Sequence, residues 1–517
     1  MRKKILIKSI LILICIIILG FLTLKVKSYL VSFLNSINSN TNAISQISLS
    51  LNDMNNKVER QYINDELSNC DVELFINDEQ VKLDLTSNNV SIYANKLTSE
   101  FPNKIGFKSS DDIKVYFDGK DLENFDEFEI DKIQKNSYKN IKIIKGSFER
   151  NYKLELLPSS FPNISISNNE LIDGDIYSSF TGQDSYIYKM NKYGEVTFYL
   201  KGQYGSYGDL MNFNKHISKD GKIRYSYFEP EVQTTLVRTP GINYGHIVLL
   251  DEHYNVIKKI GLKKTNLNTE TLAENHEFIY FDDDHYIISG AVGKTILFNG
   301  ESTVVKAAYF QEIKNDKVIF EWISTSDESL LQESVEGNKY IDEGNKEIAD
   351  YVHINSIDID PKDNNFICSF RNQNSVVKIN RETGKIIWKL SGKGDSFNLT
   401  DEQKFSRQHY AKYQEDGSIL LFDNGNDKGQ TRILKFKIDE KEKKVIDFKE
   451  YKLDSKFSYA CGSVQSYDLE NEIFTIGWGM SKTDQTIMSV VDFKNNKIIA
   501  EIYTDRPIST YRSLIFK

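Results

Sequence analysis

Three histidines recur at the same offset in successive copies of one sequence motif. Each is followed seven residues later by an aspartate in a polar turn, as in His276 with Asp283, His353 with Asp360, and His409 with Asp416. Equal offsets in a repeat predict equivalent positions in the fold. If the repeats are blades of a β-propeller, those positions converge on one central pocket, where three imidazoles can meet.

Basic and polar residues accompany these histidines. Arg371 lies in SFRNQNS, Asn355 follows His353 by two residues, and Arg407 precedes His409 by two. Alternation along a strand predicts that each of these pairs shares a face. A pocket of imidazoles and a guanidinium suits a small oxyanion, because the guanidinium is a fixed cation with a planar fork. Imidazoles add hydrogen-bond donation, proton transfer and nucleophilic attack.

Three kinds of site fit this residue set. The first is group transfer of an anionic ester group, with one histidine as nucleophile and Arg371 stabilising charge on the transferred oxygens. The second is a metal site, since three histidines bind zinc in several enzymes, although Arg371 would weaken metal binding. The third is structural: each histidine bonds the aspartate of its own repeat in a non-catalytic binding protein. Registration of three histidines with an arginine favours the first.

A second sequence element, which consists of a strand, a polar turn and another strand, occurs in each of six repeat units. Its copies lie near Tyr188, His246, Ala308, Val376, Ile433 and Met488. The chain has 29 Tyr and 30 Phe but only 7 Pro, which favours an all-β fold. The predicted fold is a six-bladed β-propeller over 166–517, preceded by a small β-sandwich domain over 67–165, with LPSSFPNISI as the linker.

Charge and cysteine usage exclude several partners. The net charge of −9 argues against nucleic acid. The four cysteines are widely scattered, so neither a disulfide framework nor a zinc motif is predicted. No cofactor and no metal are expected.

The N-terminal segment predicts where the protein works. Arg2, Lys3 and Lys4 precede an apolar run of about 20 residues, the length of a membrane span. Residues 1–27 are therefore predicted to be a cytoplasmic tip and transmembrane anchor, with the bulk of the chain outside the cytoplasmic membrane. A cleavable signal peptide is the competing interpretation. Residues 28–66 carry apolar residues at heptad spacing, which predicts either a coiled-coil stalk that joins copies into a homo-oligomer or a flexible tether.

Two segments carry a resemblance to a known family. DYVHINSIDIDPKDNNFICSFRNQNSVVKINRETGKIIWKL and RQHYAKYQEDGSILLFDNGNDKGQTRILKFKID are similar to the bacterial arylsulfate sulfotransferases. These enzymes move a sulfuryl group between phenols without an adenosine-phosphosulfate donor. The resemblance is strongest from about Glu274 to Asp439. It implies the same architecture that the repeat count predicts independently.

The resemblance also implies roles for individual residues. His409 would be the nucleophile that is transiently sulfated in a ping-pong reaction between a phenolic sulfate donor and a phenol acceptor. His353 and Arg371 would bind the sulfuryl oxygens, and His276 would complete the pocket as the acid or base at the phenolic oxygen. Asn355 is expected to bind substrate. A contact of Tyr511 with the phenol is one interpretation, and an ordinary strand aromatic is the other.

Two alternatives remain at this point. A cell-surface propeller with the same pocket would bind anionic or carbohydrate ligands without turning them over, and then His409 would be neither modified nor indispensable. A quinone-type dehydrogenase propeller is disfavoured, because such repeats carry regular tryptophan motifs and only Trp322, Trp388 and Trp478 occur here.

Overall fold

The computed structural model describes most of the chain from Val72 onward. The described residues are 72–83, 90–94, 102–110, 112–122, 127–130, 138–167, 172–182, 184–202, 208–231, 241–298, 300–335, 339–341, 347–453, 456–481 and 485–517. The predicted anchor over 1–27 and stalk over 28–66 lie outside these residues. No helix within the described ranges is both long enough and apolar enough to cross a membrane.

The described chain is almost entirely β-structure, which confirms the predicted all-β class. Its N-terminal part forms two sheets around a common apolar core that includes Leu74, Phe107 and Leu154. One sheet has the order β2-β1-β4-β7, and the strands of the other follow the order β3-β9-β8-β5-β6. The strands are β1 Val72–Ile76, β2 Glu79–Lys82, β3 Val90–Ala94, β4 Asn103–Ser109, β5 Ile113–Phe117, β6 Lys120–Leu122, β7 Glu127–Ile130, β8 Tyr138–Lys145 and β9 Phe148–Leu156.

Six sheets, named I to VI, follow, and their strands pair in antiparallel fashion except for one parallel pair in sheet III. Sheet I contains β11 Asp175–Thr181, β12 Tyr186–Met190, β13 Val196–Lys201 and β37 Ser509–Phe516. It is continuous with one of the N-terminal sheets, because Val196 of β13 pairs with Tyr93 of β3. Sheet II contains β14 Met211–Ile217, β15 Ile223–Pro230, β16 Tyr244–Leu250, β17 Val256–Ile260 and β18 Ala273–Glu274. Sheet III contains β19 Phe278–Asp282, β20 His285–Phe298, β21 Glu301–Lys314, β22 Lys317–Ile323, β23 Lys339–Ile341 and β24 Glu347–Asp350.

The remaining three sheets complete the set. Sheet IV contains β25 Ile354–Ile359, β26 Phe366–Phe370, β27 Ser375–Ile379 and β28 Ile386–Leu390. Sheet V contains β29 His409–Tyr413, β30 Ile419–Asp423, β31 Arg432–Asp439 and β32 Lys444–Tyr451. Sheet VI contains β10 Ile164–Ser167, β33 Ser463–Asp468, β34 Ile473–Gly477, β35 Thr486–Asp492 and β36 Lys497–Thr504. One short helix, α1, spans Ser329–Glu333.

All six predicted strand-turn-strand elements form antiparallel hairpins. They are the pairs β12/β13, β16/β17, β21/β22, β27/β28, β31/β32 and β35/β36. The inner strands of these sheets do not alternate between buried and exposed residues: β26 and β30 are buried at every position and are mostly apolar. A strand covered on both faces needs apolar residues on both, so its sequence loses the two-residue period.

Apolar clusters join the six sheets in a closed cyclic order. Each cluster contains residues of two consecutive sheets: I and II (Tyr177, Val248), II and III (Phe228, Tyr309), III and IV (Phe310, Phe366), IV and V (Val376, Leu434), V and VI (Phe422, Phe474), and VI and I (Ile502, Phe180). This order is the one that a six-bladed propeller requires.

Strands distant in sequence make the last connection. β37 pairs with β11, and β10 pairs with β36. The segment LPSSFPNISI is therefore more than the predicted linker, because its last residues, Ile164 to Ile166, belong to β10. Edge pairing satisfies the backbone groups that a free linker would leave to water.

Candidate active site

The three registered histidines occupy equivalent places at the beginnings of the first strands of sheets III, IV and V. His276 lies two residues before β19, His353 immediately precedes β25, and His409 is the first residue of β29. All three side chains are buried, with 2%, 6% and 5% of each residue exposed. The rings of His276 and His353 meet edge to face with their centroids 4.8 Å apart.

The strand beginnings depart from regular β-geometry. His353, Arg407 and Tyr410 adopt left-handed backbone angles, with φ of 55°, 57° and 52°. The ladders at β25 and β29 carry register shifts beside His353 and His409. Residues with Cβ atoms are strained in this region by about 1–2 kcal/mol each, and such strain concentrates at functional sites.

Two of the histidines bind carboxylates that precede them in sequence. His276 Nδ1 is hydrogen bonded to Glu274 Oε2, and His353 Nδ1 lies 2.6 Å from Asp350 Oδ2. Both carboxylates are buried. With Nδ1 occupied, Nε2 is the nitrogen of each ring that remains for a ligand.

The aspartates seven residues after the histidines have other partners. Asp283 pairs with Arg224, Asp360 with Lys378, and Asp416 with Lys435. The structural interpretation, in which each histidine bonds the aspartate of its own repeat, is therefore wrong about the contacts. These aspartates bind the cationic side chains of strands, and the histidines are left to the pocket.

His409 has an amide partner where the other two have carboxylates. Its Nδ1 lies 2.7 Å from Asn424 Oδ1 and 3.0 Å from the Arg407 carbonyl oxygen. Asn424 Nδ2 donates to the carbonyl oxygens of Ser458 and Cys461, at 2.8 and 3.1 Å. Those two acceptors fix the orientation of the amide, so its oxygen faces His409. Nδ1 must therefore carry the proton, and Nε2 keeps its lone pair.

Electrostatics favour the same neutral form of His409. Burial and the positive charge of Arg371 hold the pKa of His409 well below its usual range, although the Asn424 hydrogen bond opposes them. Burial also lowers the pKa of His353, against the opposing effect of Asp350. A buried neutral imidazole is a competent nucleophile at neutral pH.

Arg371 is the cation of this pocket. It begins the 3-10 turn Arg371–Gln373, its backbone N–H donates to the His353 carbonyl oxygen at 3.0 Å, and its Nη1 donates to Asn372 Oδ1 at 2.7 Å. The predicted partnership of Arg407 with His409 does not form. Arg407 directs Nη1 to Asn374 Oδ1 at 3.0 Å, because β29 begins only at His409 and strand alternation does not extend back to Arg407.

Asn355 and Tyr511 also lie beside the histidines. Asn355 Nδ2 donates to the Gln408 carbonyl oxygen at 2.6 Å, which ties β25 to the residue before His409. The Tyr511 ring lies 6.0 Å from that of His276. Among the described residues, Asn355 Oδ1 and the Tyr511 hydroxyl are buried without a hydrogen-bond partner. Both atoms are available to a bound ligand.

An ion-pair network supports the pocket from one side. The Arg512 guanidinium bonds Glu277, Asn212 Oδ1 and the Asn355 carbonyl oxygen. Lys412 Nζ donates to Glu277 Oε2 at 3.1 Å. Because Arg512 comes from β37 and its partners belong to sheets II, III and IV, this one side chain links four sheets.

Sequence reasoning missed Glu274, Asp350, Asn424 and the partners of Arg512. A signal for the first two is present: an acidic residue precedes His276 by two positions and His353 by three, whereas Arg407 and Ser406 occupy those positions before His409. This asymmetry marks His409 as the different histidine. Asn424 follows β30, whose residue Phe422 pairs with His409 across the ladder.

The described histidines do not form a metal site. No set of three or more His, Cys, Asp or Glu side chains in the described ranges is placed to hold a metal ion. Instead, the all-β fold groups three buried histidines with Arg371, whose positive charge acts on His353 and His409.

Comparison with known proteins supplies the family. Residues 232–478 match the family model described as "Arylsulfotransferase (ASST)", and this stretch contains all three histidines and Arg371. Over these residues the chain is similar to the arylsulfotransferase family, which confirms the resemblance found in the sequence. The match supports an arylsulfotransferase activity in general. No curated protein matches the chain.

Several solved structures show weak likeness to the chain. A Bacteroides caccae protein of unknown function is 9% identical, covering 66% of this chain and 98% of its own, with a TM-score of 0.39. The Pseudomonas aeruginosa periplasmic gluconolactonase is 10% identical, covering 68% and 99%, with a TM-score of 0.36. A virginiamycin B lyase from Staphylococcus aureus is 11% identical, covering 66% and 99%, with a TM-score of 0.27. At these TM-scores the likenesses define neither fold nor function.

Proposed function

We propose that this protein is a six-bladed β-propeller enzyme that transfers a sulfuryl group from a phenolic sulfate ester to an acceptor phenol, without an adenosine-phosphosulfate donor. The observation that carries the proposal is the Asn424 contact of His409. It leaves Nε2 of a buried, neutral imidazole unprotonated beside the Arg371 cation. A nucleophile next to a fixed positive charge is the arrangement that an anionic ester requires.

In the first half-reaction, His409 Nε2 attacks the sulfur of the donor. The N–S bond forms as the bond between sulfur and the phenolic oxygen breaks, and the electron pair leaves with that oxygen. The imidazole keeps its Nδ1 proton, held by Asn424, so sulfohistidine forms as an imidazolium carrying a sulfonate. Arg371, and His353 when its Nε2 carries a proton, donate hydrogen bonds to the sulfuryl oxygens and hold the sulfur in line with His409 Nε2.

In the second half-reaction, an acceptor phenol replaces the departed one. Its oxygen attacks sulfur while its proton passes to His276, the acid or base that the resemblance implies, the N–S bond breaks, and the electron pair returns to His409 Nε2. The unpartnered Tyr511 hydroxyl and Asn355 Oδ1 are suited to contact the substrates, the hydroxyl by donating and the amide oxygen by accepting from a phenolic O–H. Because one site serves both substrates in turn, the kinetics are ping-pong.

Nitrophenol release from 4-nitrophenyl sulfate tests this proposal. The purified protein should release nitrophenol at a rate that rises with added phenol, and parallel initial-rate lines should result when both substrates are varied. His409→Asn should abolish release. After brief exposure of the wild type to the donor, mass spectrometry of peptides prepared without acid should find the sulfuryl group on His409. The matched control His253→Asn changes an exposed histidine and should behave as wild type.

Other outcomes would replace the proposal. Release that does not depend on phenol would indicate a sulfatase. No release from several aryl sulfates by folded protein, together with saturable binding of those esters, would indicate a non-catalytic binding propeller.

We further propose that the segments before Val72 hold this enzyme at the membrane. Residues 1–27 would anchor the chain with its catalytic part outside the cytoplasmic membrane, and residues 28–66 would associate copies into a homo-oligomer. The apolar run and the heptad spacing support this. Protease accessibility of intact cells and cross-linking of the full chain test the two parts. Cleavage of the propeller only after lysis, or a monomer after cross-linking, would contradict them.

A further inference from the structure

The carboxylate of Glu274 is the buried acidic group that the proposed mechanism leaves without a role. It accepts from both the backbone N–H and Nδ1 of His276 through the same oxygen, Oε2. Its other oxygen, Oε1, is buried without a hydrogen-bond partner among the described residues. A buried carboxylate costs free energy unless a positive charge accompanies it.

Among the described residues, Glu274 accepts hydrogen bonds from the backbone N–H and the Nδ1 of His276. Of the Lys and Arg side chains that the structure describes, none forms an ion pair with it. Asp350, the equivalent carboxylate at His353, differs in this respect. Asp350 lies beside Lys306 in the register of β24 with β21, and its negative charge partly opposes the burial that lowers the pKa of Lys306 to about 8. Asp350 therefore has a lysine nearby, whereas Glu274 has only an imidazole.

The three imidazoles thus have three different environments. His409 bonds the oxygen of a neutral amide, His353 bonds a carboxylate whose charge also acts on Lys306, and His276 bonds the carboxylate of Glu274. Such differences assign acid and base roles to groups of one chemical type.

We propose that Glu274 is the positioning residue that makes His276 the proton carrier at the phenolic oxygen in both half-reactions. The proposal rests on the function proposed above. When the bond between sulfur and oxygen breaks, the Nε2 proton of His276 passes to the departing phenolate, and a phenol leaves. When the acceptor phenol attacks, its proton passes to His276 Nε2, which restores the starting state. The Glu274 carboxylate holds Nδ1–H throughout and offsets the charge of the imidazolium.

Two polar atoms near His276 support the proposal that a phenolic oxygen binds beside this ring. Tyr511 lies edge-on to His276, and its hydroxyl, like Glu274 Oε1, has no hydrogen-bond partner among the described residues. The negative charge of Glu274 also acts on Tyr511, so the two groups are close. A bound phenol would satisfy the Tyr511 hydroxyl while its oxygen lies near His276.

The dependence of rate on the leaving group tests this proposal. A series of aryl sulfates from 4-nitrophenyl to phenyl and 4-methoxyphenyl should be measured with wild type, Glu274→Gln and Asp350→Asn. Proton donation matters most for poor leaving groups, so Glu274→Gln should lose on the order of 100-fold or more in kcat/KM with phenyl sulfate and less than about tenfold with 4-nitrophenyl sulfate. Asp350→Asn should lose a similar factor with every donor, because His353 contacts the sulfuryl oxygens.

Three further measurements make the outcomes decisive. Glu274→Asp keeps the charge, so it should fold and should show a leaving-group dependence between those of wild type and Glu274→Gln. His276→Gln should steepen the dependence as Glu274→Gln does, and the double variant should lose little more than either. A uniform loss across donors in Glu274→Gln would overturn the role of Glu274, whereas a wild type that transfers no sulfuryl group would overturn the proposed function itself.

Discussion

The Arg512 guanidinium lies against the Glu277 carboxylate, with Nη1 3.3 Å from Oε1, and the residues preceding each of them, Tyr511 and His276, face each other in the pocket. Two neighbouring residues on each of two chain segments thus supply a buried ion pair, Arg512 with Glu277, and two residues of the site, Tyr511 and His276. Removal of the ion pair therefore disturbs the site that rests on it.

The network around Glu277 predicts an order of stability. Glu277→Gln leaves the cations of Arg512 and Lys412 buried without their shared carboxylate, whereas Arg512→Met leaves Glu277 paired with Lys412. Breaking a buried pair costs about 3–5 kcal/mol, so both variants should be destabilised, and Glu277→Gln more. Urea unfolding measures this. Lys404→Met, in an exposed pair with Asp401, should change stability by less than about 1 kcal/mol. Equal losses in the two core variants would contradict the shared-carboxylate account.

The amide at position 424 predicts a pH effect. Asn424→Asp places a carboxylate on His409 Nδ1, which favours the imidazolium and raises the pKa of His409. In wild type, burial and the charge of Arg371 hold this pKa well below its usual range, so His409 is neutral at neutral pH. The acidic limb of the kcat/KM profile should therefore move to higher pH in the variant, with activity recovering in alkali. The control Asn364→Asp lies in an exposed turn and should leave the profile unchanged. An unshifted limb would refute the tautomer assignment.

Arg371 has two separable effects. Arg371→Lys keeps a positive charge but loses the planar fork, so it should weaken binding of the sulfate ester while the pKa of His409 stays low. Arg371→Gln removes the charge as well, and should lower kcat/KM by on the order of 10²–10³-fold while raising the pKa of His409. Initial rates over a pH series distinguish the two. If Arg506→Gln, at a half-exposed position, lost as much activity, the effect of Arg371 would not be specific.

The low pKa of the buried His216 predicts that the free energy of unfolding decreases in acid. Burial lowers its pKa to about 4, so the folded state holds it neutral while the unfolded chain protonates it below about pH 6.5. Its contribution to stability is present above about pH 6.5 and is lost progressively as pH falls towards about 4. His216→Gln should therefore reduce the loss of unfolding free energy between pH 7 and pH 5. His253→Gln, at an exposed position, should show the full wild-type loss. An unchanged loss in His216→Gln would contradict the prediction.

Periodicity predicted the sheets and the register of the site. The structure contains every hairpin that was predicted from a polar turn between apolar strands. The equal offsets of His276, His353 and His409 correspond to equivalent places in sheets III to V. Such features depend on local pattern and on repetition, both of which the sequence carries directly.

The partners of the histidines depend on contacts that no local pattern encodes. Asn424 reaches His409 across a ladder whose register shifts beside it, and Arg407 turns away because its backbone is left-handed. Arg512 and Glu277 are 235 positions apart in sequence, so their contact depends on the folding of the sheets between them. These contacts follow from tertiary packing, which overrides strand alternation at the ends of strands.

The pairing of β37 with β11 has a kinetic consequence. Thr181 and Ser509, which meet in this pairing, are 328 residues apart, so their contact closes a very long loop. Closing so long a loop costs conformational entropy and is slow. The contacts that offset this cost form only after the intervening sheets have folded. Tyr511 and Arg512 arrive in the pocket on that same strand. During refolding, catalytic competence should thus return as the final event, after secondary structure and most of the core have already formed.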